Sequence, residues 1–208
     1  MDNGPVSTDH QPQPEDEQEP AESGAEQPLP PRRIGVVAAI APLVFVLDLV
    51  TKVLATVNLE GSAPVRILGG AVYLQLVRNP GAAFSMATGM TWVLALVAIG
   101  VVVAIIWLAR RLRSVGWAIG LGLVLGGALG NLADRIFRAP GPLQGHVVDF
   151  VSVFAPNGDF FPVFNVADSA ISIGAVLIVL LSLFGKDYDG SSPRKAGTSR
   201  ASAERDES

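Results

Sequence analysis

Apolar residues in this chain gather into four long runs, separated by polar stretches or by stretches rich in glycine and proline. A helix that crosses a bilayer takes about 20 mostly apolar residues. The runs at 34–57, 92–109, 115–132 and 163–184 meet that requirement and predict four spanning helices. The second and third carry no charge at all. The first is interrupted by Asp48 and Lys52, and Asp168 stands about one turn inside the fourth. The third run holds Gly116, Gly120, Gly122, Gly126, Gly127 and Gly130. Small residues at such spacing let neighbouring helix backbones approach closely, which marks the third helix as the central one.

The connections are not uniform. Val65–Val77 is β-branched and apolar with a break at Gly69-Gly70, the pattern of a short strand pair or a small sheet at the surface. The stretch 138–162 holds Pro140, Pro142 and Pro156 and leads into the aromatic run Phe154, Phe160, Phe161, Phe164. It reads as a loop whose apolar side chains contact lipid or an apolar substrate.

Charge sharpens the picture. Only 16% of residues are charged, against about 25% in soluble domains. Residues 1–33 hold eight acids and two arginines, and residues 185–208 hold five acids and five bases. The body at 34–184 is left with six acids and eight bases, so the net charge of −4 describes the tails. Both tails have little to bury and are expected to be disordered. An acidic region before the first run is a poor signal peptide, so that run is expected to remain as an anchor. The lack of cysteine excludes a disulfide-stapled domain. The charge balance excludes both a basic nucleic-acid binder and an acidic nucleic-acid mimic.

Basic residues orient the helices. Ten of the fifteen fall beside the start of the first run, between the second and third, or after the fourth. Arg66, Arg78, Arg135 and Arg138 lie on the other side. Both termini are therefore expected in the cytoplasm, with 58–91 and 133–162 outside. The expected organisation is a cytoplasmic tail at 1–33, a four-helix membrane unit at 34–184 and a second cytoplasmic tail at 185–208.

Charges inside spanning segments cost roughly 2.5–3.5 kcal/mol each and need a partner or a purpose. Asp48 and Lys52 are four residues apart on one helix face and can pair, in a structural or a substrate-positioning role. Asn131, Asp134 and Arg135 close the third helix; Arg135 can reach the outer headgroups or anchor a carboxylate. Asp149 lies in HVVDF and Asp168 in FNVADS, at a similar depth near the outer interface. Two carboxylates held within about 3 Å cannot both ionise and share one proton, the requirement of aspartic-protease chemistry. Spacing alone leaves proton relay or ion coordination open, as in a small proton- or ion-coupled transporter. His10 lies in the polar tail, so His146 alone supports neither a serine–histidine pair nor a zinc site.

The segments D48-LVT-K52, N79-PGAAFS, GGALGN131-LADR135, HVVD149F and FNVAD168S, in this order and between four spans, resemble bacterial lipoprotein signal peptidase, also called signal peptidase II. The resemblance implies an all-α integral membrane protein with four helices, both termini inside and a small extracytoplasmic β-sheet platform. It implies an aspartic endopeptidase of the bacterial plasma membrane that needs no cofactor or metal. Its substrates are diacylglyceryl-modified prolipoproteins, cut just before the lipidated cysteine near the outer face. Its partners are those substrates and membrane lipid, not nucleic acid, and it works as a monomer. Position by position, Asp149 and Asp168 match the catalytic aspartates. Asn79, Gly81, Asn131, Arg135, Asn165 and Ala167 match positions that line the site or hold substrate. Asp48 and Lys52 match the first-helix pair, and Asp134 the aspartate beside the arginine. The sheet platform falls at about 58–80 and a mobile segment at 138–162.

Overall fold

A computed structural model describes residues 1, 30–81 and 90–189. Most of both polar tails, and Ala82–Ser85 of the NPGAAFS segment, lie outside the described residues. The four helices are α1 (Ile34–Leu59), α2 (Thr91–Ala109), α3 (Val115–Phe137) and α4 (Val166–Leu183). The shortest has 18 residues, about 27 Å of helix, which matches the hydrocarbon thickness of a bilayer. All four are long and apolar enough to cross a membrane.

Helix α3 is the hub, packing against α1, α2 and α4. More than half of its apolar window is buried (56%), against 17–22% for the other three. Their outward faces expose residues such as Leu47, Val50, Leu96, Val103 and Val176, which suits contact with lipid. Two adjacent glycines of α3 serve two neighbours. A Cβ on Gly126 would lie 2.7 Å from the Ala41 carbonyl oxygen of α1, and one on Gly127 would lie 2.5 Å from the Ala167 carbonyl oxygen of α4. Only glycine admits both backbones.

The start of α1, the α2–α3 turn and the end of α4 meet at one end of the bundle. There Arg33 donates its N–H to Leu112, Ser114 donates to Tyr188, and the Trp117 indole donates to Lys186. The opposite end carries a three-stranded antiparallel sheet in the order β1 (Val65–Ile67), β2 (Val72–Asn79), β3 (Val147–Val153). The expected break falls in a turn at 68–70, with Gly69 at φ 67°. The register pairs Val77 with Asp149 and Asn79 with Val147, and a shift between Leu74 and Val77 marks a bulge.

The four helices and a small sheet are both present as expected, so the all-α description holds for the bundle alone. Two expectations are corrected. The stretch 138–162 is not one loop, because VVDFVSV forms β3; its β-branched residues pair with β2, and the prolines of the stretch lie outside it. Helix α3 continues to Phe137 rather than stopping at 132, which keeps Asp134 and Arg135 on a rigid helix, and α4 starts at Val166, where Asn165 caps it.

Candidate active site

Asp149 and Asp168 come from different elements and open on the same cavity of about 580 Å³, which Asn79, Gly81 and Arg135 also line. Asp149 sits in β3 and is 2% exposed. Its carboxylate accepts from both flanking amides, Asn165 Nδ2 on Oδ1 at 2.7 Å and Asn79 Nδ2 on Oδ2 at 3.0 Å. Asp168 is the third residue of α4, where a capping box fixes it. Asn165 Oδ1 accepts the Asp168 N–H at 2.9 Å, and the Asn165 N–H donates to Asp168 Oδ2 at 3.2 Å. Asn131 Nδ2 donates to Asp168 Oδ1 at 2.8 Å. A buried Asn165 thus bridges the pair, its side chain on one carboxylate and its backbone on the other.

Burial, then the neighbouring Asp168 carboxylate, push Asp149 up to about 7, against the amides of Asn79 and Asn165 and the charge of Lys52. Protonated Asp149 therefore remains well populated near neutral pH.

Behind the cavity lies a second charged group. Lys52 Nζ is 2.7 Å from Asp48 Oδ2, 2.9 Å from Asp134 Oδ2 and 2.9 Å from Asn131 Oδ1. Each carboxylate also holds backbone. Asp48 Oδ1 accepts the Ala167 N–H of α4 at 2.9 Å, Asp134 Oδ2 accepts the Val148 N–H of β3 at 3.1 Å, and Asp134 pairs with Arg138. One lysine thus joins the start of the helix carrying Asp168 to the strand carrying Asp149. Asp48, Lys52, Asp134 and Ala167 do not line the cavity. They sit in the scaffold that supports it.

Arg135 does face the cavity. It is 7% exposed, and its Nη2 donates to the Gly81 carbonyl at 3.0 Å. Its Nη1 has no hydrogen-bond partner among the described residues, so one buried donor is free for a ligand. Gly81 N–H in turn donates to Asn79 Oδ1 at 2.9 Å, which orients the Asn79 amide toward Asp149. Among the described residues no group of three His, Cys, Asp or Glu could hold a metal ion.

The other wall is apolar, with Phe161, Pro162, Val163 and Phe164 before α4 and Ile171 and Ile173 on it. The sequence marks the aromatic run but not its place beside the aspartates. Ser169 and Ser172 also line the cavity; their signal is their four- and seven-residue spacing from Asn165, visible only once α4 is known to start there.

The family model for signal peptidase (SPase) II matches residues 40–184. The chain is 57% identical over 178 residues to a lipoprotein signal peptidase of Mycobacterium avium (strain 104), covering 86% of this chain and 95% of that one. It is 58% identical over 172 residues to one of Rhodococcus jostii (strain RHA1), covering 83% and 84%. Two solved structures of a bacterial membrane enzyme, obtained by the in meso method, are also similar. One has a TM-score of 0.64 at 26% identity and covers 76% of this chain and 93% of that one. The other has a TM-score of 0.63 at 28% identity, covering 76% and 98%.

Proposed function

The chain belongs to the signal peptidase II family, as a multi-pass membrane peptidase that cleaves lipoprotein signal peptides; from that premise we propose that it is an aspartic endopeptidase with Asp149 and Asp168 as its catalytic residues. The observation that carries this reading is that the two carboxylates open on one cavity, where burial and the neighbouring Asp168 carboxylate raise Asp149 to about 7.

The chemistry follows from a protonated Asp149. Ionised Asp168 takes a proton from a water molecule as the water oxygen adds to the scissile carbonyl carbon. Asp149 gives its proton to the carbonyl oxygen, so a neutral gem-diol forms. In the second step Asp168 passes its proton to the departing amide nitrogen as the C–N bond breaks. Asp149 recovers a proton from a diol hydroxyl, and the starting state returns. The amides of Asn79, Asn165 and Asn131 fix both carboxylates, so little reorganisation accompanies the charge shift. The free donor of Arg135 is placed to hold a backbone carbonyl of the substrate.

The substrate on this reading is a prolipoprotein with a diacylglyceryl group on its cysteine, cut just before that residue. The apolar wall at 161–164, and Ile171 and Ile173 on α4, suit the acyl chains and the hydrophobic signal segment. A substrate anchored in the same bilayer arrives by lateral diffusion, and water reaches the bond from the sheet end. The enzyme then lies in the bacterial plasma membrane as a monomer, with both termini cytoplasmic and the cavity near the outer face. The test is release of signal peptide by the purified protein from lipidated prolipoprotein and not from the unlipidated form.

A further inference from the structure

Away from the two aspartates, Gln75, Ser152 and the turn at 156–158 form a buried polar group on the sheet. Gln75, in the bulged part of β2, is 5% exposed, and Ser152 of β3 is fully buried. Gln75 Oε1 accepts the Asn157 N–H at 2.9 Å. Ser152 Oγ accepts the Gly158 N–H at 3.2 Å and donates to the Ala155 carbonyl at 2.7 Å. The turn requires left-handed backbone, with Asn157 at φ 59° and Gly158 at φ 77°, conformations that asparagine and glycine accept.

The acceptor role of Gln75 fixes its amide. Its oxygen faces Asn157, and its Nε2 is left buried with no hydrogen-bond partner among the described residues. An unpartnered buried donor is unfavourable, and a leucine would bury there without it. What its carbonyl holds accounts for a glutamine at this position.

What it holds is the tip of segment 154–164. The base of that segment is pinned where Val151 and Phe164 exchange two backbone hydrogen bonds of 2.9 Å. Between tip and base, Phe154 packs edge-on against Phe160 and Phe161 against Phe164. Phe161, Pro162, Val163 and Phe164 then form the apolar wall of the cavity. We propose that Gln75 is a positioning residue for substrate binding, which seats segment 154–164 through Asn157 and so sets the wall that receives the apolar part of the substrate. This rests on the reading of the cavity as the substrate site. No hydrogen bond of Gln75 reaches Asp149 or Asp168, whose partners are Asn79, Asn131 and Asn165. Loosening the wall should therefore weaken binding and spare the chemical step.

The experiment uses the full-length protein in lipid bilayers and a prolipoprotein peptide carrying a diacylglyceryl cysteine. Gln75→Leu should raise KM about fivefold, the size of one hydrogen bond's net contribution, with kcat within about twofold. Gln75→Glu keeps an oxygen toward Asn157 and should return KM to near wild type. Asn157→Val forces a β-branched residue into the left-handed region and should raise KM, whereas Asn157→Gly should not. In the Gln75→Leu/Asn157→Val double variant KM should rise no further than in either single one, because both open the same contact. An unchanged KM in Gln75→Leu, a loss confined to kcat, or a Gln75→Glu variant no better than Gln75→Leu overturns the proposal. If Gln75→Leu does not fold, the Asn157 pair decides, and equal KM values for Asn157→Val and Asn157→Gly overturn it. Failure of the cavity reading is recognised separately, by cleavage that survives Asp149→Asn and Asp168→Asn.

Discussion

The side-chain amide of Asn165 donates to Asp149 at 2.7 Å, so the residue that caps α4 also fixes the carboxylate of a strand sixteen positions earlier. Helix start and strand are aligned by one side chain. Asn165→Ser should keep a competent cap, with stability within about 1 kcal/mol of wild type. It should lower kcat by roughly ten- to a hundredfold, because the hydroxyl does not replace the donor to a charged group. Thermal unfolding and single-substrate kinetics on one preparation check both parts.

The elevated Asp149 fixes the direction of two pH effects. Cleavage should decline as pH rises past about 7, because ionisation of Asp149 removes the one-proton state. Stability follows the same sign. A carboxyl raised from 3.8 to about 7 in the fold contributes its full stability below 3.8 and loses it as pH rises through about 7. Asp149→Asn should therefore be more stable than wild type at pH 8 and lose that advantage at pH 4, read as Tm against pH.

Lys52 compensates two buried carboxylates at once. Lys52→Met should destabilise the protein by about 3–5 kcal/mol, since it strands Asp48 and Asp134. Because those two hold Ala167 and Val148, the loss should reach cleavage as well as unfolding. Added salt should change neither in the wild type, the group being shielded from solvent.

Gly127 couples helix packing to the site. A methyl group there meets the Ala167 carbonyl oxygen and Ile171. Gly127→Ala should push the start of α4 away from α3 and reduce cleavage by more than about tenfold while the protein remains folded. Gly35→Ala, with open space around its Cβ, should behave as wild type in both assays.

The sequence is most legible where chemistry is expensive. Four long apolar runs predict four helices, and Asp48, Lys52, Asp134, Asp149 and Asp168 stand out because charge in or beside lipid is costly. Long-range partnering is not written there. Lys52 meets Asn131 from 79 positions away, and Asp134 holds Val148 across a turn whose geometry the prolines obscure. Strand β3 escapes notice because seven residues between prolines look like a loop until β2 supplies the pairing. Gln75 carries no signal at all, since an isolated polar residue in a surface strand is ordinary and its burial depends on segment 154–164 folding back.

The most direct measurement follows signal-peptide release from a diacylglyceryl prolipoprotein and its unlipidated counterpart by the wild type, Asp149→Asn and Asp168→Asn in bilayers, with the Tm of each recorded. The wild type should cleave the lipidated substrate alone, and neither variant should cleave it although both remain folded. Near-full cleavage by either variant, or equal cleavage of the unlipidated substrate, would contradict it.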